Sequence, residues 1–209
     1  MIRIAAAALA LAVSAAGLAQ AACPENRLPG IDCGAPDSAA APAGVYAIDP
    51  RHTAVIAKVS HLEYSRSVFR FGGVSGSLTW NPAAPDASTL KASVDTGSIA
   101  HPLAGFPEEL QGDHYLNSKT FPQATFVSTA FHRRDATHGT VSGDFTLLGV
   151  THPQTFEVEL IGAGKSFGGP RIGIEAHTMI DPKAYGMPPS PFFAGPIDLS
   201  IDGEFVRKP

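Results

Sequence analysis

The chain has 209 residues, a formal net charge of −4 and only 16% charged residues, so no basic field invites nucleic acid. Its length allows one domain with a real core. The 21 glycines and 18 prolines suit many turns between short strands and disfavour a helical bundle.

Residues 1–21 read as a secretory signal peptide: Arg3 supplies the positive charge, an apolar run follows from Ile4 to Leu18, and Ala19-Gln20-Ala21 fits the small-x-small cleavage rule. The run is too short for a membrane span. A rival reading cuts before Cys23 and lipidates it, although Gln20 stands where a lipobox wants an apolar residue. Either route exports the protein, and the expected location is the periplasm. Residues 22–44 read as a flexible linker, because "GAPDSAAAPAG" has too little bulk to pack. The only cysteines, Cys23 and Cys33, fall in it. An even pair in an oxidising compartment is most simply a local disulfide, with two unpaired thiols as the alternative.

From Val45 onward the pattern is strand after strand. "VYAIDP" leads into "RHTAVIAKVS", and "FRFGGVSGSLTW", "STLKASVDTGSI", "ATFVSTAFH", "HGTVSGDFTLLG", "QTFEVEL", "RIGIEAHTMI" and "PIDLSIDGEF" follow, eight or nine strands with short breaks. In "VSGDFTLLGVTHPQTFEVEL", Val141, Gly143, Phe145 and Leu147 share one face. After a turn at Leu148-Gly149-Val150, so do Phe156, Val158 and Leu160. The last strand sets Ile197, Leu199, Ile201, Gly203 and Phe205 against Asp198, Ser200, Asp202 and Glu204. One wet face and one dry face predict an antiparallel up-and-down sheet. Closing about eight strands into a barrel removes both edges and leaves room for side chains or one small ligand. The dry face is expected to comprise Val55, Val59, Phe71, Leu78, Trp80, Phe126, Phe145, Leu147, Phe156, Val158 and Ile174. A one-residue slip would reverse the whole set.

One segment, residues 100–122, interrupts the strands. Phe106-Pro107-Glu108-Glu109-Leu110 offers a proline and two acids in a first helical turn, predicting a short helix. Phe106, Leu110 and Tyr115 give it an apolar side, fit for a plug or a lid. Late in the chain, "DPKAYGMPPSPFFAGP" carries Met187, Phe192 and Phe193 on a proline-stiffened loop. These are expected either to cap the core or to face Phe106, Leu110 and Tyr115 across the opening of a pocket.

Eight histidines form no helical i,i+4 pair and no HExxH, so no metal site is expected. His61, at the end of the first long strand, is retained as a polar group that orients a ligand. No GxSxG elbow supports a hydrolase triad. Asp113 beside His114 is suggestive only as a dipeptide. No catalytic residue is assigned. An enzyme acting on a bound lipid through His61 or Asp113/His114 stays as the alternative.

The order of motifs resembles the YceI-like family of exported lipid- and polyisoprenoid-binding proteins, over essentially all of Val45 to Phe205. The resemblance is carried by Tyr46, Asp49, Pro50, His52 and His61, by Leu110, Tyr115, Phe121, Pro122, Phe126 and Ser128, and by Gly143, Asp144, Thr146, Gly149, Val150 and Thr151. It implies an eight-stranded lipocalin-like barrel domain over residues 45–209 with one helical lid. It also implies an isoprenoid or fatty-chain amphiphile such as a polyprenyl or quinone inside, no other cofactor, transient membrane contact for loading, and a possible homodimer. Many relatives carry an Arg just before the Tyr185-Gly186-Met187 ending. Here Lys183 stands in its place, a less directional charge for an anionic headgroup.

Overall fold

A computed structural model describes residues 23–166 and 168–209. The segment read as a signal peptide lies outside the described residues. The strands are β1 (Gly44–Ile48), β2 (Ala54–His61), β3 (Ser65–Phe71), β4 (Val74–Trp80), β5 (Thr89–Asp95) and β6 (Ile99–Ala100). After helix α1 (Phe106–Leu110) come β7 (Gln123–Arg133), β8 (His138–Leu147), β9 (Val150–Ser166), β10 (Gly169–Ile180) and β11 (Phe193–Arg207). All belong to one 11-stranded sheet.

Several of these strands are halves of longer staves. β1 and β2 both pair with β11, β4 and β3 pair with them in turn, and β5 and β6 extend the same order outward. Joining these halves leaves eight antiparallel staves, each bonded to its neighbours in sequence, and β11 closes the ring onto the first. The result is a closed up-and-down barrel, in which no stave is left as a bare edge.

The break between β1 and β2 follows from "DPRH". Pro50 has no N–H for a ladder, and the Asp49 carboxylate turns back to accept from the Arg51 backbone N–H at 3.1 Å. The Asp49 N–H still donates to Glu204 O of β11 at 2.8 Å, so the ladder resumes across the kink. At the β8–β9 turn, Leu148 and Gly149 both take positive φ, 51° and 76°, as a tight hairpin with right-twisted strands requires. Gly143 keeps the wall of the barrel thin: a Cβ there would sit 2.6 Å from the Phe126 ring. α1 forms with Pro107 in its first turn beside Glu108 and Glu109, where a proline loses no bond and acids meet the helix dipole.

The expected linker is only partly one. Ala35 and Ala163 of β9 exchange backbone hydrogen bonds of 2.9 and 2.8 Å, and Ala41 is fully buried. Tyr46 Oη donates to Pro42 O at 2.6 Å. The small residues that argued against packing are what allow it. A Cβ on Gly34 would lie 3.0 Å from Gly162 Cα, so two backbones meet where larger side chains would hold them apart. Cys23 and Cys33 are disulfide-bonded, with Cα atoms 5.9 Å apart, just before this docked strap.

Candidate functional site: a cavity along the barrel axis

The inward faces of the staves enclose a cavity of about 310 Å³. Val55, Phe71, Leu78 and Trp80 line it from β2, β3 and β4. Phe126, Phe145 and Leu147 do so from β7 and β8, and Phe156, Val158 and Ile174 from β9 and β10. Met187 reaches it from the loop before β11. Ile197, Leu199, Ile201 and Phe205 supply the β11 wall, as the alternation of that strand dictates. Most lining side chains are apolar, and the charged ones, Asp86, Arg133 and Asp135, all lie in the connections at one end. The hydroxyl of Thr96, a polar group on the lining away from that end, is already spent on Phe121 O at 2.8 Å.

Phe131 also lines the cavity, which strict alternation from Phe126 would not allow. A register shift between Ser128 and Ala130 inserts one residue and turns Phe131 inward. The displaced Ser128 Oγ accepts the Leu90 N–H at 2.7 Å.

One end of the barrel is filled. The Phe193 ring lies 5.8 Å from Phe69, 6.1 Å from Phe106, 6.5 Å from Tyr115 and 6.0 Å from His61. His101 meets Phe106 edge-on at 5.0 Å and lies tilted against Phe69 at 5.3 Å. Val59 and Leu110 are buried in the core that this cluster belongs to. None of Val59, His61, Phe106, Leu110, Tyr115 or Phe193 is among the residues lining the cavity. They form an aromatic plug. Phe192 does not join it and is 50% exposed, because neighbours in an extended segment point to opposite sides and only one of the pair can turn in.

The opening is at the other end. Every exposed residue of the lining, namely Asp86, His132, Arg133, Asp135 and Ala136, belongs to the β4–β5 connection or to the end of β7 and its turn into β8. The expectation of a mouth between the α1 segment and the proline-rich loop is therefore corrected. The rings of that region supply enough bulk to close their end, whereas "NPAAPDAS" and "RRDATH" are small or polar and leave theirs open. The docked strap borders the same opening through Ser38.

The rim is polar and internally matched. Arg133 N–H donates to Asp86 Oδ1 at 3.3 Å, tying the two connections together. Asp135 accepts from the backbone N–H groups of Thr137 and His138 at 2.9 and 2.8 Å, and its Oδ1 lies 3.0 Å from His138 Nδ1. These bonds, the Thr137 N–H first, hold the Asp135 carboxyl at about 2.

Two other clusters lie off the cavity. Asp113 and His114 are 3.8 Å apart, with side chains 82% and 86% exposed, and neither lines the cavity. Asp49, His52 and Glu204 bring ligand-type atoms within 4.8 Å of one another. Arg51 and Arg171 already occupy those carboxylates, with Arg171 Nη1 2.7 Å from Glu204 and 3.4 Å from Asp49. The cluster is an ion-paired clasp over the β1–β2 kink, and the arginine charges compete with any cation there.

Residues 46–205 match the model of the YceI-like domain family. A UPF0312 protein of Pseudomonas putida (strain W619) is 34% identical over 169 residues, which cover 79% of this chain and 88% of that protein. Among solved structures, Burkholderia cenocepacia BcnA superposes with a TM-score of 0.66 at 18% identity, covering 75% of this chain and 98% of that one. A polyisoprenoid-binding domain from Saccharophagus degradans superposes with a TM-score of 0.57 at 14% identity, covering 78% and 98%. These structures share the fold, and with the sequence matches they close the assignment: this chain belongs to the YceI-like domain family.

Proposed function

We propose that the protein is an exported, non-catalytic carrier that holds the tail of an isoprenoid or other long-chain amphiphile inside the barrel. The observation that carries this reading is the largely apolar cavity inside the barrel, plugged by rings at one end and opening at a polar rim at the other. The resemblance of the fold to a polyisoprenoid-binding domain supports it. A 310 Å³ space holds on the order of ten methylene-sized groups at about 30 Å³ each. At about 0.8 kcal/mol per buried CH₂, two isoprene units contribute about 8 kcal/mol gross. That offsets the cost of ordering a flexible tail without any strong polar contact.

Catalysis through His61 or through Asp113 and His114 gains no support, because none of the three lines the cavity. Periplasmic residence, transport between membranes and brief membrane contact during loading complete the reading. The signal-like opening of the sequence and the Cys23–Cys33 bond support the export part. The test is incubation with a prenol followed by extraction. Recovery of one unchanged molecule per chain supports a carrier, and turnover or absence of uptake refutes it.

A further inference from the structure

We infer that the docked strap, residues 34–43, is a hinged lid on the cavity, and that the ligand passes beneath it when it lifts, over an apolar edge of the barrel that the strap otherwise covers. The inference rests on the carrier reading above and adds the route by which the ligand enters and leaves.

The strap's course sets it over the open end. It pairs with the far end of β9 through Ala35, borders the cavity at Ser38 and joins β1 at Gly44. β9 and β1 are not neighbours in the ring, since β10 and β11 lie between them, so the strap spans the open ends of those staves. Beneath it, the fully buried Ala41 packs among Tyr46, Leu78, Leu160, Ala163, Ile172 and Phe205. Leu78, Leu160, Ile172 and Phe205 are also cavity wall, and with the strap in place none is more than 9% exposed. Lifting the strap bares these four and makes a continuous apolar surface from the edge of the barrel to its interior. The rest of the rim offers no such path. Asp86, Arg133 and Asp135 stand there, and an apolar tail sliding over them would strip charged groups of water with nothing in return.

The fastenings of the strap are few. Two backbone hydrogen bonds tie Ala35 to β9, Tyr46 Oη donates to Pro42 O, and Ala41 is the strap's one buried residue. A segment with so little buried belongs to the low-stability end of a fold and opens while the rest stays folded. It keeps internal bonds of its own when it lifts: Asp37 Oδ1 accepts from the Ala39 N–H at 2.9 Å, and the Cys23–Cys33 bond closes the loop just before it. The barrel does not need it, because the strap precedes residue 46, where the match to the family domain begins, and every stave is present without it.

The test compares uptake and release of a probe by the full folded chain with the strap seated and unseated. Parinaric acid, a polyene fatty acid that accepts energy from tryptophan, reports its arrival beside Trp80, the single tryptophan and part of the cavity wall. Stopped-flow mixing gives the uptake rate, and transfer to excess phosphatidylcholine vesicles gives the release rate. Gly34→Val places a Cβ 3.0 Å from Gly162 Cα, and Ala41→Glu puts a charge where the strap is fully buried. Both leave every cavity residue unchanged. Hydrogen exchange of the Ala35 amide should accelerate at least about tenfold in both variants while the barrel amides keep their protection. Uptake and release should each accelerate on the order of tenfold, with Kd within about threefold of wild type, because both rates scale with the population of the open lid. If Ala41→Glu does not fold, Gly34→Val decides alone. Unchanged rates with a freed Ala35 amide overturn the inference, as does acceleration of only one rate, which would make the strap a binding wall and not a gate. An Ala35 amide that exchanges no faster in either variant also overturns it, since the strap would then be a fixed part of the fold. The carrier reading stands in all three cases. Wild type that binds neither parinaric acid nor farnesol overturns both.

Discussion

Ala176 lies in mid-strand on β10, between Val158 of β9 and Ile201 of β11 in the ladder, and its methyl group faces the cavity. Ala176→Phe would add a ring of six carbons to the empty space. At about 30 Å³ per water-sized group, the ring takes up roughly 180 Å³. That is more than half of the 310 Å³ available. At about 0.8 kcal/mol per buried carbon, the displaced ligand atoms are worth about 5 kcal/mol gross. Affinity should therefore fall on the order of a thousandfold. The same ring fills a void and displaces no packed neighbour, so stability should stay within about 1 kcal/mol of wild type, or rise. The assay is differential scanning fluorimetry with and without farnesol. At a hundredfold excess over Kd, a ligand stabilises by about 2.7 kcal/mol, which is a rise of about 5–10 °C for a domain of this size. Wild type should show that rise and Ala176→Phe should not, with ligand-free melting points within about 4 °C of each other. A variant that melts normally and still binds with wild-type affinity would refute the reasoning, since the tail would then lie elsewhere.

Phe193→Ala should cost about 2–3 kcal/mol because four rings lose a neighbour, whereas Phe192→Ala should stay within about 0.5 kcal/mol; urea denaturation compares the two. Asp49 is buried, and the Arg51 guanidinium hydrogen bond holds its carboxyl well below the usual range. Because the folded value is depressed, its stabilisation is present above the unfolded value of about 3.9 and is lost as pH falls toward the folded one. Asp49→Asn should therefore be destabilised by about 3 kcal/mol at pH 7, and the gap from wild type should shrink as denaturation is repeated from pH 4 downward. Gly162→Val places a Cβ 3.1 Å from Gly34 Cα and should peel the strap from β9. Hydrogen exchange of the Ala35 amide should accelerate at least tenfold while the barrel amides keep their protection.

Where side chains alternate without interruption, the sequence alone carried the architecture. β8 and β11 each put Val141, Phe145 and Leu147, or Ile197, Leu199 and Ile201, on the inner face by period two. Phe131 escaped because a single inserted residue at the β7 bulge reverses the phase, and no residue type at Ser128 to Ala130 announces it. The open end was not legible either. Which end closes depends on whether several loops, distant in sequence, bring bulky rings to one point, as Phe69, Phe106, Tyr115 and Phe193 do. The docking of the strap was hidden for a related reason: Gly34 and Gly162 look like flexibility in isolation and become a close backbone contact only as a pair.

The central claim is that the barrel interior is the seat of a lipid tail. It is tested most directly by expressing the full chain, purifying it without detergent, and extracting native protein into organic solvent for mass spectrometry. Wild type should release close to one chemically unchanged amphiphile with a long apolar tail per chain, while Ala176→Phe prepared in parallel should release none. Wild-type protein that carries no amphiphile and shows no thermal shift with farnesol would contradict the account.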